Sequence, residues 1–263
     1  MGAQRAAESK LRGAPRSAWA RAWRNAAGSA GGAEEDWMSA VGGIVPTIDL
    51  REHWKGVRDQ GARGSCLACA ASDAHMHAHQ LSDPLSADGL FYRGVQRMPM
   101  KDPKHGLTFQ AAKGALAHDG QCREIEWPYP AATPSPWLVP AGVGTLWYGN
   151  LSYKAHASSE IVLKLQAGAP VVIGLMINEG FRDAAAPHYV ARDEGADLGG
   201  HAVLGVGLGK SAEGTQLVLV RNSWGFQWAF GGHAWIDTGY IDAHLIGYAG
   251  IGALSNGSGK RTY

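Results

Sequence analysis

The sequence predicts an α+β fold, because helix-forming segments fill much of its first half and glycine-bounded apolar runs fill its second half. Helix formers occupy residues 66–80, and a second helical patch covers residues 108–117. The strands are predicted at four apolar runs, namely 171–177, 201–208, 216–224 and 233–241. Helices followed by strands, instead of strict alternation of the two, are typical of α+β architecture.

Turn-forming residues separate these segments and add one more helix. Ser158 or Ser159 can cap a helix that Gly168 ends. The run Trp127-Pro128-Tyr129-Pro130 predicts a stiff turn. The 37 glycines and the charged fraction of 18% predict many further turns and tight loops.

Residues 1–44 differ in composition from the rest of the chain. Between Met1 and Ala33 the only acidic residue is Glu8, whereas basic residues recur throughout, and Trp19 and Trp23 are four residues apart. This pattern predicts a loosely ordered basic extension with one short amphipathic helix. Two alternatives stay open, namely a transit peptide and a short segment that inhibits its own chain.

The remaining chain is predicted to form a helical lobe over residues 45–148 and a β-rich lobe over residues 149–263.

The net charge of +1 argues against a nucleic-acid-binding surface. No run approaches the roughly 18 apolar residues of a membrane span. With no apolar core of a secretory signal and only three cysteines, the sequence predicts a cytoplasmic protein without a disulfide framework.

Cys66 is the first candidate for chemistry. It follows a Gly-Ser turn directly and begins an alanine-rich helical run. Unpaired N–H groups and the positive end of the helix dipole favour a thiolate over a thiol at such a position. Gly64 and Ser65 suit the turn and the helix cap that this placement needs. The sequence therefore predicts Cys66 as a nucleophile with a lowered pKa.

His201 and Asn222 are its expected partners. His201 follows Gly199 and Gly200 at the head of an apolar run, and Asn222 ends another β-rich run. His201 and Asn222 lie 135 and 156 residues after Cys66. This order and spacing are close to those of the papain signature, in which His and Asn follow the cysteine by roughly 130–150 residues. With Gln60 six residues before Cys66, the chain resembles the papain-like cysteine peptidases over roughly residues 46–255.

The resemblance implies a two-lobed fold, with a helical lobe followed by a barrel-like β lobe and a cleft between Cys66 and His201. His201 would act as base toward the thiol and as acid toward the leaving amine. Asn222 would orient the imidazole, and Gln60 would donate to the developing oxyanion. Trp224 would shield the His–Asn bond, and Trp228 matches a second tryptophan of the motif. The resemblance further assigns substrate contacts to Gly64, Ser65, Gly106, Gly200 and Trp224.

The chain departs from the family pattern at informative positions. Arg63 stands where relatives usually carry a cysteine three residues before the nucleophile, so the matching disulfide cannot form. Leu67 replaces the usual tryptophan after the nucleophile, and His105 replaces one glycine of the substrate-binding turn that ends at Gly106. This variant resembles bacterial branches of the family more than lysosomal ones.

The leading hypothesis is hydrolysis of a peptide or protein substrate through an acyl-enzyme on Cys66, with no metal and no cofactor. An acyl transferase that uses the same site and a silent peptide-binding relative are the alternatives. Cys66 and Cys69 also form a C-x-x-C pair, which is typical of redox sites. His75, His77 and His79 share a helical run and suggest metal ligation, but no acidic ligand motif lies nearby, so a polar helix face is preferred.

Overall fold

The computed structural model describes residues 43–155, 158–184, 189–190 and 195–255. The predicted amphipathic helix near Trp19 and Trp23 lies outside the described residues, as does nearly all of the basic segment 1–44. Among the helices of the described part, none is long and apolar enough to cross a lipid bilayer.

Of the six α-helices in the described part of the chain, three lie in the first half and three in the second. They are α1 (Cys66–Ala78), α2 (Ala87–Gln96), α3 (Phe109–His118), α4 (Ser158–Gln166), α5 (Glu179–Arg182) and α6 (Thr238–His244), with 3-10 turns at Arg51–His53 and Pro103–His105. Side-chain caps explain two of the helix starts. Ser86 accepts from the N–H of Gly89 at the start of α2, and Thr108 accepts from the N–H of Ala111 at the start of α3.

The strands form one twisted sheet. They are β1 (Val45–Asp49), β2 (Tyr148–Lys154), β3 (Val171–Asn178), β4 (Tyr189–Val190), β5 (Asp197–Lys210), β6 (Gln216–Arg221), β7 (His233–Asp237) and β8 (Leu245–Leu254). Their order is β2-β8-β3-β5-β6-β7-β4, and β1 pairs with β5 off this path. The β4–β7 pair is parallel, and the other pairs are antiparallel.

Three sequence predictions for the sheet need correction. The predicted run 216–224 is strand only as far as Arg221, where β6 ends. Residues 238–241 are not strand, because the Asp237 side chain accepts from the N–H of Gly239 and starts α6. β1 lies in the segment 45–148 that was predicted to be helical, yet its partner is β5, so it belongs with the sheet. β2 and β8 have no clear signal in the sequence, because glycines and polar residues interrupt apolar runs of the kind that mark β3 and β6.

The two faces of the sheet bury different cores. One core includes Leu67, Phe91 and Leu116 of the first three helices together with Leu204 of β5. The other core lies among α4, α6 and the opposite face, where Ile161 is one of the fully buried residues. Because neighbouring side chains of a strand point to opposite faces, β5 contributes to both cores and holds α1 against one side of the sheet.

Strand register brings the predicted partners together. His201 lies near the start of β5, opposite Leu175 of β3. Leu204 of β5 pairs with Arg221, the last residue of the antiparallel neighbour β6. The start of β5 and the end of β6 therefore meet at one end of the sheet, where Asn222 follows β6 directly.

Candidate active site

Cys66 is half-buried at the first position of α1, as the sequence predicts. The prediction that the Ser65 side chain caps this helix is wrong, because that side chain makes no capping bond. It is fully buried and its hydroxyl contacts the hydroxyl of Tyr129 instead. A side chain with this burial has no surface to offer a substrate, so the structure gives no support to a substrate contact through the Ser65 side chain.

His201 and Asn222 form a hydrogen bond of 2.7 Å between Nε2 and Oδ1. The N–H of Ser223 donates to the same oxygen at 2.8 Å, which identifies this atom as the amide oxygen. Since an oxygen accepts, Nε2 of His201 must carry the proton of this bond. In the neutral imidazole, Nδ1 is then unprotonated and available as a base.

The thiol of Cys66 lies beside the start of β5. Its surroundings include the backbone amide of Ala202, the residue after His201, together with the amides of Leu67 and of Cys66 itself. The packing of α1 against β5 produces this neighbourhood. The structure thus places a cysteine next to the strand that carries the histidine, although the two residues are far apart in the chain.

Burial disfavours the charged forms of both Cys66 and His201. It raises the pKa of the Cys66 thiol, although the three neighbouring amides partly oppose the rise. It lowers the pKa of His201 to about 4, against the effect of the bond with Asn222. The sequence predicts a lowered thiol pKa from the helix terminus, so the structure differs in direction. Mutual attraction of a thiolate and an imidazolium would add to these opposing effects and favour the charged pair.

Aromatic rings cover the histidine. The rings of Trp224 and His201 have centroids 4.6 Å apart, and Phe181 contacts both of these rings edge-on. Trp228 stacks on Phe181 with centroids 5.2 Å apart. These apolar surfaces limit the access of water to the His201–Asn222 bond. Phe181 was not found from the sequence, since a single aromatic residue in a four-residue helix gives no signal.

Gln60 connects the segment before Cys66 to the segment after Asn222. Its Oε1 accepts from the hydroxyl of Ser223 at 2.6 Å, and its backbone N–H donates to the carbonyl of Ser223 at 2.7 Å. Its Nε2 donates to the carbonyl of Arg63 at 2.7 Å. An amide nitrogen has two N–H groups, so the second one remains for another acceptor.

Gly64 and Gly106 meet backbone to backbone. A Cβ built on Gly64 would lie 3.1 Å from the Cα of Gly106, and one on Gly106 would lie 3.2 Å from the carbonyl oxygen of Gly64. Gly106 also has φ +72°, a conformation that favours glycine. Both glycines and Trp224 are half-buried, whereas Gly200 is exposed. These four predicted substrate-binding positions all reach the surface.

The three histidines predicted to form a polar helix face do not all reach the surface, because His75 is fully buried. Nδ1 of His75 lies 2.8 Å from Oε1 of Gln121, and Nε2 of His79 lies 2.9 Å from a backbone carbonyl. The ring of His77 stacks on Trp54 with centroids 5.8 Å apart. Within the described ranges, no group of three or more side chains is arranged to hold a metal ion.

Cys69 is a poor partner for redox chemistry. It is buried one turn below Cys66, and burial raises its pKa to about 12. A thiol that stays protonated at neutral pH neither attacks nor leaves readily. Its surroundings are those of a core residue. They favour a structural role for Cys69 over the redox hypothesis.

Comparison with known proteins adds independent findings. Cysteine endopeptidase Rep1 of Oryza sativa subsp. japonica is 30% identical over 199 residues, covering 74% of this chain and 53% of that protein. A cysteine protease of Blomia tropicalis is 26% identical over 226 residues, covering 79% of this chain and 66% of that protein. The chain thus spans about half to two thirds of the length of these curated relatives.

Solved structures agree on the fold. Xylellain, a cysteine protease from Xylella fastidiosa, superimposes with a TM-score of 0.62 at 23% identity over 82% of this chain and 89% of that chain. A structure from work on the mite allergens Blo t 1 and Der p 1 gives 0.64 at 25% identity, over 86% of this chain and 79% of that chain.

The family match covers most of the chain. The sequence model of the family described as papain family cysteine protease matches residues 44–249. That range contains every helix of the described residues and all but the last five residues of β8. With the predicted α+β fold confirmed by the solved structures, the chain belongs to the papain family of cysteine proteases.

Proposed function

We propose that the chain hydrolyses peptide bonds through an acyl-enzyme on Cys66, with His201 as general base and acid. The observation that carries this proposal is the bond between Nε2 of His201 and Oδ1 of Asn222, which leaves Nδ1 as the basic nitrogen. Membership of a cysteine protease family supports the same reaction. The substrate class is a peptide or protein.

The reaction proceeds in two steps, the acylation of Cys66 and the hydrolysis of the resulting thioester. Sulfur of Cys66 attacks the substrate carbonyl while its proton moves to Nδ1 of His201, and the carbonyl electrons form an oxyanion. The free N–H of the Gln60 amide and the backbone N–H of Cys66 stabilise that charge. The C–N bond then breaks, and the amine leaves with the proton from His201. Water, deprotonated by His201, hydrolyses the thioester and regenerates the thiol.

Asn222 and Trp224 act on the histidine and not on the substrate bond itself. Asn222 keeps the imidazole in one tautomer and one orientation through its amide oxygen. Trp224 lies against the imidazole and keeps water from this bond. Gly64, Gly106 and Gly200 form the proposed backbone contacts of the substrate, and their position at the surface supports this role.

Mass spectrometry after treatment with an epoxysuccinyl thiol inhibitor tests the proposal. We expect labelling of Cys66 but of neither Cys69 nor Cys122, because the last two are buried. Cys66→Ala should lose both labelling and hydrolysis of a peptide substrate, whereas Cys122→Ser should keep both. Hydrolysis that persists in Cys66→Ala would exclude the acyl-enzyme.

An added amine separates hydrolysis from acyl transfer at the same site. If water resolves the thioester, the carboxylic acid is the product at all amine concentrations tested. A product that becomes mostly amide at millimolar amine would favour the transferase alternative.

We further propose that the protein works in a reducing compartment such as the cytoplasm. All three of its cysteines are free thiols in the described part of the chain. The melting temperature should therefore be the same with and without a reductant. A large drop on reduction would contradict the proposed location.

Inhibition by residues 1–44 remains a prediction, and this segment lies almost wholly outside the described residues. Two similar solved proteins, a ragweed pollen protease and a trypanosomal procathepsin B, were crystallised as proforms. Deletion of residues 1–44 tests the idea. A rise of tenfold or more in the rate of Cys66 labelling, about 1.4 kcal/mol in barrier, would identify the segment as inhibitory, and equal rates would exclude this role.

A further inference from the structure

Arg63 is buried at the centre of the loop that leads to Cys66. Only 6% of its surface is exposed. Its guanidinium donates to Oδ1 of Asp88 on α2 at 2.6 Å and to the hydroxyl of Thr133 at 3.2 Å. A third donor reaches the carbonyl of Pro130 at 3.4 Å. One side chain therefore joins the loop before the nucleophile to α2 and to the segment 130–133.

The groups around the guanidinium of Arg63 stabilise a positive charge. The rings of Phe91, Tyr129 and Trp137 lie 4.7–5.3 Å from its guanidinium carbon, within range of cation–π attraction. Asp88, which is 1% exposed, also accepts from the indole N–H groups of Trp127 and Trp137, at 2.8 and 3.1 Å. Both oxygens of the buried carboxylate thus accept hydrogen bonds, which limits the movement of the ion pair.

The backbone of the same residue holds Gln60. The carbonyl of Arg63 accepts from Nε2 of Gln60 at 2.7 Å. Tyr129, whose ring lies under the guanidinium, donates its hydroxyl proton to the carbonyl of Gln60 at 3.0 Å. Because that proton is used, the hydroxyl of Ser65 must donate to Tyr129 in their contact. The loop from Gln60 to Ser65 is therefore fixed on both sides of Arg63.

We propose that Arg63 is a positioning residue that fixes the side-chain amide of Gln60 and the start of α1 for oxyanion stabilisation. The inference rests on the proposed function, because it concerns the geometry of that reaction. The Arg63–Asp88 pair anchors the carbonyl that occupies one N–H of the Gln60 amide, and the other N–H is thereby aimed in one direction. An oxyanion donor contributes fully only when its geometry is set before the reaction.

The test removes the pair without leaving a charge behind. The double change Arg63→Met with Asp88→Asn, called the paired variant, avoids an uncompensated buried carboxylate and keeps an acceptor for the two indoles. It is compared with the wild type, with Gln60→Ala, and with the paired variant that also carries Gln60→Ala. Arg97→Met is the matched control, because Arg97, directly after α2, makes a bidentate bond at 2.7 and 2.9 Å to Asp119, directly after α3.

We expect the paired variant to lower kcat at least fivefold while KM changes less than twofold. Affinity for a peptide aldehyde should fall by a similar factor, since its adduct with Cys66 places an oxygen at the oxyanion position. In the Gln60→Ala background the same changes should alter kcat less than twofold, because Arg63 acts through Gln60. Arg97→Met should leave kcat within twofold.

Two results would overturn the inference: a folded paired variant with unaltered kcat and aldehyde affinity, or an equal loss in both backgrounds. If the paired variant does not fold, Arg63→Lys, which keeps a cation beside Asp88 but loses the guanidinium fork, enters the same cycle with the same criteria. Should the wild type itself not hydrolyse peptides, the proposed function fails. Amide hydrogen exchange of residues 61–66 then decides the inference, since it must be faster in the paired variant than in the wild type.

Discussion

Asp73 of α1 and Arg221 at the end of β6 form a buried ion pair, with 2.8 Å between Oδ2 and Nε. The other carboxylate oxygen accepts from Nε of Arg58 at 2.7 Å. This pair connects the helix that begins at Cys66 to the strand that ends one residue before Asn222. The distance between the two candidate catalytic segments is therefore fixed by charge as well as by apolar packing.

Asp73→Ala should destabilise the fold strongly. Burial alone would raise the pKa of Asp73, but Arg58 and Arg221 outweigh it and lower the pKa below its ordinary value. Removing the carboxylate leaves two buried guanidinium groups without it, which typically costs about 3–5 kcal/mol. Urea unfolding measures the loss. Asp83→Ala is the control, because it removes an exposed partner of Lys55 and should lower the free energy of unfolding by less than about 1 kcal/mol. Equal losses of stability in the two variants would contradict the prediction.

Asn222→Ala should weaken hydrolysis without abolishing it. The change removes the acceptor of Nε2–H, so the imidazole samples other orientations and its other tautomer. We expect kcat to fall by about tenfold to a hundredfold, which is about 1.4–2.8 kcal/mol in barrier. The kinetics of a fluorogenic peptide give the result. A kcat equal to that of the wild type would show that the bond does not orient the base.

The pH dependence of alkylation should identify His201 as the partner of Cys66. Burial raises the pKa of the thiol, so a thiolate needs a nearby cation to form at neutral pH. We expect the rate of alkylation by iodoacetamide to rise at least one pH unit lower in the wild type than in His201→Ala. Both proteins also carry Cys69→Ser and Cys122→Ser, so that the measured rate is that of the Cys66 thiol alone. Coincident profiles would rule out the pairing.

His75 should make the protein less stable in acid. Burial lowers its pKa to about 4, whereas a histidine in the unfolded chain titrates near 6.5. As the pH falls from about 6.5 to 4, the unfolded state binds a proton that the folded state does not, so stability is lost in that window. The full shift corresponds to about 3 kcal/mol.

Unfolding by urea at pH 7 and pH 4.5 measures this loss. His75→Gln should reduce the difference between the two free energies of unfolding, and His118→Gln, at an exposed position, is the matched histidine control. His201 acts in the same direction, since its pKa is also lowered to about 4. An undiminished difference in His75→Gln would contradict the prediction.

Much of the fold follows from local patterns. Two kinds of segment give strong signals, namely the alanine-rich run after Ser65 and the apolar runs of β3, β5 and β6. In each of them many consecutive residues favour the same secondary structure. β2 and β8 lack such a signal, since glycines and polar residues interrupt their apolar runs. β1 is a strand because β5 offers it a partner, and that partner lies far away in the chain.

The sequence by itself determined which side chains are candidates for the chemistry, because the types and order of Cys66, His201 and Asn222 are properties of the chain. Only the tertiary structure decided how they are held. The partner of Arg63, the bond from Ser65 to Tyr129 and the direction of the Cys66 pKa all depend on groups far away in the chain. Burial and pairing arise from packing, and no local pattern of residues encodes them.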